Sequence, residues 1–204
     1  MITKPWDSRI ALTLVRPLRH SRLTPNHITT LSLAAGLGAG ALFALGGPAA
    51  HGGAVLYMLA ALLDHADGEF ARLTGKTSLF GHRYDQAAGA ISYVALFAGI
   101  GIGLRDELGG WGLPLGIIAG VAVTLITTLR FELERRAGRN AIGQPTVAGF
   151  EIEDILYLIG PVTWLGGLPP FLVAAGIGAP LFAVWVVWEY RRKSAAAAGG
   201  TARP

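Results

Sequence analysis

Long apolar runs separated by short polar, Gly- and Pro-rich breaks set the pattern of this chain. Ile28 to Gly46 opens it, after the start signal Thr24-Pro25-Asn26, where Asn26 is placed to cap the helix that follows. A second run begins near Ala54, stays apolar through Leu63, and continues as an amphipathic extension. Further helices are expected over about Gly81 to Leu104, Leu113 to Arg135, Phe150 to Trp164 and Phe171 to Tyr190, the last bent at Pro180. The fifth is short for a ~30 Å hydrocarbon core and begins on acids, Glu151, Glu153 and Asp154. Gly36-x3-Gly40 and Gly116-x3-Gly120 mark faces for close helix contact. Ahead of all this, residues 5–23 repeat Trp6, Ile10, Leu14 and Leu18 at spacing four, with Arg9, Arg16, Arg19 and Arg22 mostly on other faces. That predicts an interfacial amphipathic helix on an anionic leaflet, interrupted at Pro17.

The expected fold class is therefore all-α: a polytopic membrane protein with six transmembrane helices and an N-terminal amphipathic helix. Residues 1–193 form one membrane domain, and 194–204 an Ala/Gly-rich, disordered tail. Composition agrees. Of 204 residues, 52% are hydrophobic and only 15% charged, against about 25% charged in an ordinary soluble domain. With no Cys, disulfides and thiolate metal sites are excluded.

Charge orients the spans. With the N-terminus in the cytoplasm, every one of the 17 Lys and Arg except Arg105 falls on the cytoplasmic side, as the positive-inside bias requires. The net charge of +4 is thus read as loop charge, and a nucleic-acid partner is not implied. The expected location is the inner (cytoplasmic) membrane, multi-pass, with both termini inside.

Asp64, Asp67 and Asp85 stand between two apolar segments on that cytoplasmic face. Carboxylates at the edge of a membrane core are costly and mark a site by default. Asp64 and Asp67 are i, i+3 on one helix face, and Asp85 opens the next helix. The short connection predicts that these two helices are packed neighbours, so the three acids converge. Oxygen ligands without Cys or clustered His suit a hard cation, Mg²⁺ or Mn²⁺. Gly68 and Gly81 open the backbone to a ligand, and Arg72 and Lys76 offer countercharge to phosphates. Two other readings of the acids are interfacial ion pairs with Arg72, Lys76 and Arg83, and ion coupling in a transporter. Arg130, Arg135, Arg136 and Arg139 are read as topology charge or as a site for a phosphorylated acceptor or anionic lipid.

In order, the stretch is Asp64-x2-Asp67-Gly68-x2-Ala71-Arg72-x8-Gly81-x3-Asp85. This resembles the signature of the CDP-alcohol phosphotransferase (CDP-alcohol phosphatidyltransferase) family, as do the Thr24-Pro25-Asn26 entry and the six helices. The resemblance implies a metal-dependent membrane enzyme of phospholipid biosynthesis. Such an enzyme moves a phosphatidyl or phospho-alcohol group from a CDP-linked donor to an acceptor hydroxyl, and CMP leaves. It implies Asp64, Asp67 and Asp85 as ligands of one or two divalent cations. It also implies that Gly68, Ala71, Arg72 and Gly81 lie against the cytidine phosphates, and that the chain forms a homodimer in the membrane lipid. At one position the chain departs from the pattern. The family's fourth Asp, its presumed general base and second-metal ligand, is here Gly89. Glycine can neither take a proton nor hold a metal. Three explanations stand open: another group takes the proton (His65, Glu69, His82, or an acid of Glu151–Asp154); an acid was removed in a variant enzyme; or the chain binds CDP-linked lipid and metal without efficient turnover.

Overall fold

The computed structural model describes residues 6–137 and 157–200, with side chains placed over 8–133 and 157–194. All regular structure in it is helical. Helix α1 is Trp6–Val15, α2 Pro25–Leu45, α3 Ala49–Thr74, α4 Leu79–Gly103, α5 Arg105–Leu108, α6 Gly112–Ala137, α7 Ile159–Trp164 and α8 Leu168–Gly200. Among the described residues, four segments are long and apolar enough to cross a membrane: Pro25–Leu45, Leu79–Gly103, Arg105–Leu133 and Leu168–Ser194. Helix α3 is as long as these, but its last turns carry Asp64, His65, Asp67 and Glu69. Of the expected fifth span, α7 is the described helix, and Glu151, Glu153 and Asp154 lie outside the described residues. So do Arg139 and the side chains of Arg135 and Arg136.

Local chemistry sets the ends. Thr24, not Asn26, occupies the N-cap of α2, with Pro25 at the first helical position. Proline is pre-set for that position because its missing N–H would be unpaired there anyway. The Thr24 backbone N–H donates to His27 Nδ1 at 3.2 Å, closing the first turn. Ser78 caps α4 by accepting from the Gly81 N–H at 2.9 Å, and Gly75 ends α3 in the left-handed conformation (φ 69°). α-Helix α1 stops at Val15, and a 3₁₀ turn, Arg16–His20, carries Pro17. The face of α1 that packs is Ala11 and Val15, against Ile28, Ala66 and Phe70, while Ile10, Leu14 and Leu18 of the predicted apolar stripe are exposed. The last helix continues past Arg191, with Lys193 paired to Glu189 at 2.7 Å.

The packing order differs from the expectation for the acidic stretch. Helices α3 and α4 are joined by the short loop Gly75–Ser78 yet scarcely touch. Helix α2 packs extensively against both, α4 packs on α6, and α6 on α8. The prediction of packed α3 and α4 is corrected: a short loop fixes sequence neighbours, while the small face of α2 wins the contact. Gly36 and Gly40 of α2 meet Ser92 and Ala95 of α4, and Gly116 and Gly120 of α6 meet Phe97 and Val94. Both predicted small-residue motifs therefore lie at helix crossings, with α4 held between them. One core, built from Phe43, Tyr57, Leu96, Phe97, Ile100, Ile159 and Leu172, fills the bundle.

An added Cβ at Gly99 would overlap the carbonyl oxygen of Gly40. Gly99→Ala must push α2 and α4 apart, and we expect a loss of about 3 kcal/mol, the upper part of the range for overpacking. Gly178→Ala, where an added Cβ meets nothing within 4 Å, serves as the control. Thermal unfolding of the two variants in the same detergent checks this; equal midpoints would contradict the close crossing.

Candidate active site

Because α3 and α4 diverge over α2, a groove opens between the ends that the Gly75–Ser78 loop joins, and the acids of the motif line it. Asp64 and Asp85 come together across the groove, both lining the cavity between α4 and α6 and close enough to interact. Asp67 sits on the α2 side, 4% exposed, and accepts a hydrogen bond from the Thr29 hydroxyl. Asp67 lies past the apolar run of α3. Asp85 thus interacts with each of the other two acids, Asp64 and Asp67, across helices that hardly touch.

The other motif residues have mixed placements. Gly68 lies beside the Arg72 guanidinium: a Cβ there would be 3.4 Å from it. Arg72 itself pairs with Glu69 at 3.0 Å, and Glu69 is buried. Lys76 donates to the Leu23 carbonyl at 3.0 Å and reaches over the Phe70 ring. These two cations are engaged elsewhere than in the pairs with the motif aspartates that the ion-pair reading required. Ala71 is half-buried on α3. Gly81 admits Asn26, whose Oδ1 would stand 3.0 Å from a Cβ at position 81. Asn26, expected as a cap, instead meets the start of α4.

Gly89 is the most informative position. A Cβ at 89 would meet nothing within 4 Å. Two cavities open beside it. One, about 80 Å³, runs down between α2, α3 and α4 past Ser32, Tyr57, His65 and Tyr157. The other, about 130 Å³, lies between α4 and α6 and is lined by Gln86, Thr124, Thr127, Thr128 and Phe131. Asp64, Gly89 and Tyr93 border both. Of the groups considered as substitutes for the missing acid, His65 lines a cavity with Gly89, and its Nδ1 is 3.0 Å from the Ala61 carbonyl oxygen. Glu69 is occupied with Arg72, and the His82 ring packs, tilted, against Phe131.

Sequence reasoning did not identify Thr29, Tyr93 or the threonines of α6. Thr29 joins Asp67 across 38 residues, so nothing local signals it. Thr124, Thr127 and Thr128 were detectable as a polar cluster on one face of an otherwise apolar helix.

Oxygen donors of this kind suit a hard divalent cation. Among the described residues no group of three carboxylate or histidine side chains is placed to hold a metal ion. Mg²⁺ is commonly held by one or two carboxylates together with substrate phosphates. The residues present therefore match the ion chemically, with Asp64 and Asp85 as the juxtaposed pair.

Fold and site together define a helical membrane protein with a carboxylate-lined groove at one end of its bundle. The family model for CDP-alcohol phosphatidyltransferase matches residues 22–189, and the chain belongs to that family. It is a family of membrane transferases of phospholipid synthesis, generally dependent on divalent metal. Among solved structures, phosphatidylinositol phosphate synthase of Mycobacterium tuberculosis, with CDP-DAG bound, is similar at TM-score 0.59 and 24% identity over 90% of this chain and 91% of that one. At that identity the likeness is one of fold. No curated protein sequence matches the chain.

Proposed function

We propose that this chain transfers a phosphatidyl or phospho-alcohol group from a CDP-linked donor to an acceptor hydroxyl and releases CMP. The observation that carries the reading is the juxtaposition of Asp64 and Asp85 at the junction of two cavities, inside a motif shared with the family. The acceptor oxygen bonds to the donor phosphorus as the phosphoanhydride bond to CMP breaks. The proton of the hydroxyl passes to a group other than residue 89. Asp64, Asp67 and Asp85 would hold a divalent cation, which when bound would supply charge neutralisation for the donor phosphates and the leaving CMP. Thr29 fixes Asp67, and Gly68, Ala71, Arg72 and Gly81 line the approach of the nucleotide.

The same reading completes the topology. Helix α3 and the α7 region cross the membrane with the four apolar segments, giving six spans with both termini and the site at the cytoplasmic face. The exposed Ile10, Leu14 and Leu18 of the N-terminal segment rest on the membrane surface. A homodimer belongs to the same reading.

Gly89 favours a second reading, a relative that binds metal and CDP-linked lipid with little turnover. CMP release from CDP-diacylglycerol in detergent micelles tests both. We expect release to stop in EDTA and to return with Mg²⁺ or Mn²⁺. CDP binding that needs Mg²⁺, with no CMP formed from any alcohol, would establish the second reading and sink the first.

A further inference from the structure

The segment ahead of the first apolar span has flanks of different chemistry. Ala11 and Val15 face the bundle and are buried. Ile10 and Leu14 each lie one residue before them, about 100° round the helix, and are 45% and 53% exposed. Leu18, on the 3₁₀ turn that follows, is exposed as well. So are Arg9, Arg16, Arg19 and Arg22, and residues 8–24 hold no Asp or Glu. Leu23 and Thr24 alone separate Arg22 from the start of the span at Pro25. Exposed apolar and cationic side chains at the edge of a membrane span complement an anionic lipid surface. The apolar groups enter the acyl boundary, and the guanidinium groups meet headgroup phosphates.

The buried flank of α1 rests on the acid-bearing end of α3. Ala11 and Val15 form one cluster with Ile28, Ala66 and Phe70. Ile28 precedes Thr29, Ala66 precedes Asp67, and a hydrogen bond joins Thr29 to Asp67. At the other end of the segment the Leu23 carbonyl accepts from Lys76 at 3.0 Å, which ties it to the loop between α3 and α4. The segment is therefore a strap across the turns that carry the buried aspartate. A force that presses it onto the bundle also holds Thr29 and Asp67 together.

We propose that residues 9–22 dock on anionic lipid headgroups and that this docking holds the strap over Asp67, so that turnover depends on negative charge in the leaflet. The docking stands by itself; its effect on turnover rests on the transferase reading. The full chain is compared in nanodiscs of phosphatidylcholine and in discs that also hold phosphatidic acid, which is anionic and carries no acceptor alcohol. Amide hydrogen exchange over residues 9–22 should slow at least about 5-fold in the anionic discs, the scale of one Arg at an anionic surface. A variant with Arg9→Gln, Arg16→Gln, Arg19→Gln and Arg22→Gln, all at exposed positions, should lose that difference, and raised salt should diminish it. CMP release from CDP-diacylglycerol, with glycerol 3-phosphate, inositol phosphate, inositol or glycerol as acceptor, should follow the same pattern. Equal exchange in the two discs overturns the proposal, as does the same slowing produced in neutral discs by inorganic phosphate. Slowed exchange with CMP release equal in both discs overturns the link to the site while the transferase reading stands. If neither disc yields CMP, that reading fails, and exchange at the amides around Thr29 and Asp67 decides the link. Slower exchange there in the anionic discs supports it; no change overturns it.

Discussion

Asp85→Asn and Asp64→Asn are each expected to lower CMP release by about 10²–10³-fold or more, the cost of removing one element of a preorganised electrostatic site. The substitution is nearly isosteric, so the loss would come from charge. Asp64 and Asp85 line the same cavity, close enough to interact. Neutralising either one removes their repulsion and, with it, much of the attraction for a divalent cation. The protein without metal should therefore become no less stable, and by the relief of like charge somewhat more stable, while its dependence on Mg²⁺ shifts to higher concentration. A fold check by thermal unfolding accompanies the kinetics. Variants that unfold normally and still release CMP at the parent rate would show that the groove is not the reacting site.

Gly89→Asp is expected to act in the opposite direction, raising turnover by up to about 10²–10⁴-fold, the usual contribution of a positioned general base. Space permits it, since a Cβ at position 89 meets nothing within 4 Å and both cavities open beside it. Charge sets a condition. A further carboxylate beside Asp64 and Asp85 adds repulsion in the metal-free protein, so its unfolding midpoint should fall in EDTA and recover with Mg²⁺. A rate unchanged from an already robust parent would mean that the proton leaves by another group, with His65 as the one that shares a cavity with position 89. No activity in either protein would support the binding-only relative.

The acid motif is legible in the sequence because its meaning is local. Asp64 and Asp67 are one turn apart, and helix periodicity alone puts them on a common face. The glycine pairs are legible for the same reason: spacing four on a helix makes a smooth strip, and both strips lie at crossings with α4. The helix ends are less so. Thr24 displaces Asn26 as cap because Pro25 takes the first helical position, and the sequence offers both readings within two residues.

The chain by itself determined an apolar all-helical protein and the helical faces on which its acids and its glycine pairs lie. These follow from residue chemistry and a 3.6-residue period, which need no partner. Only the tertiary structure decided that α2, not the loop-linked pair, joins α3 to α4, because close backbone contact at glycines outweighs proximity along the chain. That arrangement splays the two helices and opens the groove. It lets Thr29 reach Asp67 from 38 residues away and leaves Gly89 at the meeting of two cavities. Such facts depend on which surfaces meet across the bundle, and spacing along one helix carries no information about them.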